Sequence, residues 1–232
     1  MTKLLAIDTS TDACSVALYS DGEIFDIYEV IPRQHSSRLF SMLHELLPSG
    51  DLRSQGIDAI VYTSGPGSFT GLRIAASAVQ GLAFANKLPA IPVSSLVCQA
   101  QTAFRLGLVS GGESILSMLD ARIEEVYWAI CTVNGGVAVL DQGPYVGAPQ
   151  SVDANRQGAL VGVGGGLAYA ALLPDETPLS AVHIDVLPSA RDMIPMALEA
   201  LRLNQMQQAS DVTPMYVREE VSWKKLAEQG KR

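Results

Sequence analysis

Ten consecutive residues, Ser64-Gly65-Pro66-Gly67-Ser68-Phe69-Thr70-Gly71-Leu72-Arg73, carry the densest chemical signal in this sequence. They join an apolar run, 57–63, that reads as a buried strand to an Ala-rich stretch, 74–86, that reads as a helix. Glycines at 65, 67 and 71 permit a tight strand-to-helix turn and the close approach of another backbone. The free N–H groups of a helix start suit an anion. The known loops of that type do not match. No Lys-Ser or Lys-Thr follows the last glycine, as a P-loop requires. A dinucleotide fingerprint would place its third glycine one residue earlier, and no Asp or Glu lies between 71 and 112 to hold a ribose hydroxyl. Ser68 is not on a nucleophile elbow, because Pro66 and Thr70 stand where glycines are needed.

Metal and acid–base chemistry have few parts to draw on. The histidines are His35, His44 and His183. A spacing of nine puts His35 and His44 about 180° apart on a helix, so they cannot share one ion locally. His35, just before a helix start, reads as a capping or surface group. No cysteine pair has ligand spacing; Cys14, Cys98 and Cys131 read as buried free thiols of a cytosolic protein.

The elements that must position these residues form a repeated order. Lys3–Asp8 reads as a strand, and 13–19 and 23–30 form a hairpin around Asp21-Gly22. A helix over 36–47 follows, with Leu39, Leu43, Leu46 and Leu47 on one face and Phe40 and Met42 away from it. Then come strand 57–63, helix 70–86, strand 90–93 and helix 95–106. The second half gives strand 114–119, then strands 125–132 and 136–140 around Asn134-Gly135. Strand 160–163 runs into Gly164-Gly165-Gly166, followed by a short helix 167–173, strand 181–187 and helix 191–208. The expected division is a lobe over 1–106, a smaller and degenerate lobe over 107–190, a helix 191–208 returning to the first lobe, and a tail over 209–232.

The chain has 232 residues, 48% of them hydrophobic and 17% charged, which suits a globular α/β protein with a real core. No apolar stretch approaches the ~20 residues of a membrane-spanning helix. The net charge of −8 opposes unaided binding to tRNA or DNA. The one basic concentration is Lys224, Lys225, Lys231 and Arg232 in the tail.

A duplicated strand–hairpin–helix lobe resembles the actin/hexokinase/sugar-kinase superfamily (ASKHA, ribonuclease H-like). There, loops from both lobes hold nucleotide phosphates. Asp8-Thr9-Ser10-Thr11 resembles the first phosphate loop, Asp120-Ala121-Arg122 the second, and Gly164-Gly165-Gly166 the adenosine loop. Further segments narrow the resemblance: Ser64–Arg73, Arg33-Gln34-His35-Ser36, Val93-Ser94-Ser95-Leu96, Val126-Tyr127 and Pro214-Met215-Tyr216-Val217-Arg218. With them the chain closely resembles the bacterial TsaB (YeaZ) family over essentially its whole length. The resemblance implies a non-catalytic partner of TsaD, with TsaE as a third member, in making threonylcarbamoyladenosine in tRNA. It also implies a homodimer when the chain is alone, and contact with tRNA only through the complex.

The loop residues agree with a site that has lost its nucleotide. Thr9-Ser10-Thr11-Asp12 carries side chains where a working loop has glycine, and Asp12 brings like charge toward a phosphate, costing about 1–4 kcal/mol at ~4 Å. Ala121-Arg122 likewise replaces glycines, and Asp8 and Asp120 read as hairpin-loop caps or water ligands. No cofactor, metal or catalytic residue is expected. The expected working surface is helical: Gly71, Ala75, Ala78, Leu82 and Ala85 form one small-residue face of helix 70–86, and Leu72, Ala76, Val79 and Ala83 another. Ser36, Leu39, Phe40, Leu43, Phe69, Leu72, Arg73, Ala75, Ala76 and Val79 are the expected interface. Two alternatives stay open at this stage: a self-sufficient ATP-dependent enzyme using the cleft, and a peptidase acting on TsaD through Ser68.

Overall fold

The computed structural model describes residues 2–154 and 158–217. Arg218 and the basic cluster Lys224, Lys225, Lys231 and Arg232 lie outside the described residues.

The first half builds β1 (Lys3–Asp8), β2 (Ala13–Ser20), β3 (Glu23–Val30), α1 (His35–Leu46), β4 (Ala59–Gly65), α2 (Phe69–Asn86), β5 (Ala90–Ser94) and α3 (Ser95–Arg105). The second half builds β6 (Ser114–Arg122), β7 (Glu125–Asn134), β8 (Val137–Gly147), β9 (Leu160–Val163), a 3₁₀ segment Gly165–Leu172, β10 (Leu179–His183), a 3₁₀ segment Ala190–Met193 and α4 (Ile194–Arg202). The sheet orders are β3-β2-β1-β4-β5 and β10-β9-β6-β7-β8. In each, the opening strand is central, pairs antiparallel with a hairpin on one side, and pairs parallel with a later strand on the other. One topology written twice makes this the duplicated actin-like fold. The second copy is reduced: a 3₁₀ segment, 165–172, stands where the first has the 18-residue α2.

Strand β1 is buried on both faces, as its unbroken apolar run requires. Leu5 and Ile7 face α1 and α2, packing with Leu39, Met42, Ile60, Ala75 and Val79. Leu4 and Ala6 face the other way, toward Met193, Ile194 and Ala197. α4 therefore packs on the first sheet. α3 serves both sheets, with Cys98 among the Leu4 cluster and Leu96, Ala100 and Ala103 against Ile115, Ala129 and Val161 of the second. Each Leu or Ile so buried contributes about 1.5–3 kcal/mol before conformational entropy is charged.

Several element boundaries differ from the sequence reading. Asn134 pairs with Val137, so the hairpin turn is Gly135-Gly136, both at positive φ, one residue later than expected. The last helix is 3₁₀ over 190–193, α-helical only to Arg202, and ends before Asn204, which takes φ 56°. Strand β10 spans 179–183 rather than 181–187, and β8 extends to Gly147. Met42 is fully buried with Leu39, so α1 turns one broad apolar face to the sheet.

Candidate functional site

The Ser64–Arg73 segment connects β4 to α2. Ser68 caps the helix, its hydroxyl accepting from the Gly71 N–H at 3.3 Å. The β1–β2 loop lies directly on this helix start. Ser68 N–H donates to the Ser10 carbonyl at 2.8 Å, and the Thr9 hydroxyl donates to the Gly71 carbonyl at 2.7 Å. A Cβ on Gly67 would run into the Ser10 carbonyl, and one on Gly71 into that of Thr9. The glycines thus admit the protein's own backbone at this helix start.

Asp8 is buried at the end of β1, and its Oδ1 accepts from Ser10 N–H (3.0 Å) and the Thr63 hydroxyl (2.5 Å). Burial pushes its carboxyl above the usual range, against the opposing pull of those hydrogen bonds. Asp120, at the matching point of β6, accepts from Arg122 N–H at 2.8 Å and from its guanidinium at 3.0 Å. Both aspartates close the same i to i+2 turn, so the duplication extends to the loops. Arg122, Ile123 and Glu124 all sit at positive φ, holding Ile123 83% exposed at the turn tip.

These loops converge on one cleft of about 1080 Å³ between the lobes, lined by Ser10 and Asp12 on one side and Asp120, Arg122 and Gly165 on the other. Asp8 and Thr9 lie beneath its wall, fully buried. Of the glycine triplet, Gly164 and Gly166 leave no room for a Cβ against Met118, while Gly165 has open space around it. Two glycines are therefore occupied in seating the 3₁₀ segment on β6.

The expected interface residues divide in two. Ser36, Phe40, Phe69 and Arg73 are exposed. Leu39, Leu43, Leu72, Ala75, Ala76 and Val79 are buried in the chain's own core, as are Ala78 and Ala83. The expectation that α2 packs one apolar face on its own sheet and keeps the other spare therefore needs correction: small side chains let the helix sit close to β4, and Ala75, Ala76, Ala78, Val79 and Ala83 from both faces are buried, leaving Leu82 half-buried and Ala85 exposed. The face left to solvent carries Phe69, Arg73, Ser77, Gln80 and Phe84, with Phe84 79% exposed. Sequence reasoning misses Phe84, whose signal is a second aromatic residue, after Phe69, on the stripe that carries Arg73, Ser77 and Gln80. On α1, Phe40 is 58% exposed, and Arg38 pairs with Glu29 and Glu45, each at 2.6 Å.

His35 is buried rather than a surface group, because its Nε2 reaches the Ala13 carbonyl at 3.1 Å and ties α1 to β2. Among the described residues no three His, Cys, Asp or Glu side chains gather as a metal site. The three thiols are buried, and burial pushes Cys14 and Cys131 up to about 12. Among the described residues no helix is long and apolar enough to cross a membrane.

Comparison with known proteins identifies this arrangement. The tRNA threonylcarbamoyladenosine biosynthesis protein TsaB of Escherichia coli strain K12 is 38% identical over 229 residues, spanning 97% of this chain and 98% of that protein. This chain belongs to the TsaB family. The TsaB protein of Haemophilus influenzae is 36% identical, covering 96% of both chains. A Pseudomonas aeruginosa crystal structure described as similar to peptidase YEAZ superposes with a TM-score of 0.87 at 38% identity, covering 94% of this chain and all of that one. A second, described as YeaZ from the same organism, gives 0.86 at 38% identity, covering 93% and 100%. The family model TsaD, tRNA N6-adenosine threonylcarbamoyltransferase, matches residues 28–152. That match runs from β3 through β8.

Proposed function

We propose that this chain acts in forming threonylcarbamoyladenosine in tRNA as a non-catalytic partner that binds TsaD and supports its activity, with TsaE as a third component. The names of its full-length relatives support the pathway. One observation carries the non-catalytic role: the β1–β2 loop lies on the start of α2, with Ser68 N–H donating to Ser10 O. That amide is already spent on the protein's own carbonyl, so the loop and the helix start close on each other. The binding surface is the solvent face of α1 and α2 around Ser36, Phe40, Phe69, Arg73 and Phe84. In the absence of TsaD the same face joins two copies of the chain. The chain works in the cytoplasm and meets tRNA through the complex, since a net charge of −8 gives it little attraction of its own.

Reconstitution with purified TsaD, TsaE, tRNA and the pathway's substrates tests this. Modification should require this chain, survive Asp8→Asn and Asp120→Asn within about twofold, and fall with Phe40→Glu or Phe84→Glu in step with lost TsaD binding. An aspartate variant that binds TsaD normally yet abolishes modification would put a catalytic centre in this cleft. Micromolar binding and turnover of ATP with magnesium by the isolated chain, lost in Asp8→Ala, would instead favour the self-sufficient enzyme.

A further inference from the structure

Beyond α4 the chain returns to the first lobe and makes a contact that the docking surface alone does not explain. Gln207 pairs with Ala90 through two backbone hydrogen bonds of 2.9 Å, and Val212 is buried among the α1–α2 core residues. From Thr213 onward the attachment changes character. The Tyr62 hydroxyl reaches the Thr213 carbonyl at 3.4 Å, and Met215 N–H donates to Ser64 O at 2.7 Å. Tyr216 is then held by its side chain, whose hydroxyl accepts from Arg73 Nε at 3.0 Å. The Arg73 guanidinium carbon lies 3.7 Å from the Phe69 ring centroid and 5.9 Å from that of Tyr216. The two rings are 6.0 Å apart, and each stays half exposed or more, at 57% and 50%.

Gly65 is built for this contact. Its φ is +126°, and a Cβ there would come within 2.9 Å of the Met215 carbonyl. The first glycine of the motif thus admits residue 215, as Gly67 and Gly71 admit residues 10 and 9. Met215, Tyr216 and Val217 also line the inter-lobe cleft. One short segment therefore touches the outer end of α2 and the cleft at once, firmly rooted at Val212 and lightly fastened at its far end.

We propose that residues 213–217 form a displaceable strap: in the lone chain Tyr216 covers the Phe69–Arg73 pair, and TsaD docking on α2 takes over that pair, lifts the strap and widens the cleft. The inference rests on the docking surface proposed above. A ligand shifts a two-state element only through a difference in contacts, and here that difference is one aromatic partner and one hydrogen bond on Arg73 exchanged for equivalents on TsaD. Release of the strap is a cost that docking must meet, so weakening the strap strengthens docking.

The test is calorimetric titration of TsaD into the full chain and its Tyr216→Ala and Tyr216→Phe variants, with amide exchange followed at Met215. Tyr216→Ala should bind TsaD about three- to tenfold tighter, the scale of one exposed cation–π contact with its hydrogen bond. Tyr216→Phe, which keeps the ring, should fall between. The Met215 amide should exchange at least about tenfold faster in the complex while α2 amides slow. Unchanged or weaker binding by Tyr216→Ala, or a Met215 amide that stays protected in the complex, overturns the strap and leaves the docking surface standing. Failure of the unaltered chain to bind TsaD overturns the docking surface, and the strap's role with it.

Discussion

Gly71→Ala and Gly81→Ala place the same methyl group in the same helix with opposite expected results. Both positions lie within α2. At Gly81 nothing stands within 4 Å of the new Cβ, so the change removes a helix-interior glycine and should stabilise by about 1 kcal/mol. At Gly71 the backbone is equally helical, but the methyl meets the Thr9 carbonyl. Forcing the loop away costs about 1–3 kcal/mol as overpacking. Losing the Thr9 hydrogen bond to the Gly71 carbonyl costs about 0.5–1.5 kcal/mol more. Set against the same helix-propensity gain, the net loss is about 0.5–3.5 kcal/mol. For a chain of this size each kcal/mol moves Tm by about 2–4 °C, so Gly71→Ala should melt about 1–14 °C lower and Gly81→Ala about 2–4 °C higher. Scanning calorimetry on both variants decides the matter. Shifts in the same direction, or a Gly71→Ala midpoint within 1 °C of the parent, would refute the claim that this glycine exists to admit the β1–β2 loop.

Three other expectations follow from the buried polar groups. Asp8 has a folded pKa raised by burial, so its contribution to stability is fully present below the ordinary carboxylate value of 3.8 and is lost as pH rises through the folded value. Asp8→Asn should therefore gain on the parent as pH rises above about 4; urea midpoints whose difference ignores pH, or moves the other way, would contradict this. Arg105→Ala strands Asp192, which is 3% exposed and takes two guanidinium hydrogen bonds of 2.6 and 2.9 Å. Because Arg105 itself is 36% exposed, the expected loss is about 2–3 kcal/mol, below that of a fully buried pair, read from urea unfolding. Cys14, Cys98 and Cys131, buried with raised thiol pKa values, should resist a thiol reagent at pH 8 until urea unfolds the chain; stoichiometric labelling of the native chain would count against their burial.

Much of the architecture is legible because it is written locally. Strand β1, the Asp21-Gly22 hairpin and α2 follow from short apolar runs and turn residues, and the repeat of that order marks the duplication. What the sequence hides depends on distant partners. Gly71 meets Thr9 from 62 positions away, and Arg73 meets Tyr216 from 143 away, so neither contact leaves a periodic trace. The two apolar faces of α2 are visible, but whether a partner or the protein's own sheet takes them is decided by packing. That is why Ala75, Ala76 and Val79 belong to the core while Phe84, on the stripe that carries Arg73, Ser77 and Gln80, stands in solvent. In the second lobe, 167–173 reads as an ordinary short helix, yet the structure has a tighter 3₁₀ path over Gly165–Leu172, where Gly166 closely approaches Met118.

Helix α3 is the wall that the two sheets have in common. Its Ser95 hydroxyl donates to the Pro66 carbonyl in the first sheet's motif, while Gln101 accepts from Ala138 N–H and donates to the Gly136 carbonyl in the second sheet's hairpin. Every residue from Ser95 to Ala103 is buried. A break in the chain near Gly112 would thus strip one half of a side it cannot rebuild, and α4, made by the later half, would leave the earlier half bare as well. Heat should melt the pair of sheets in a single step, and neither half should persist as a folded fragment.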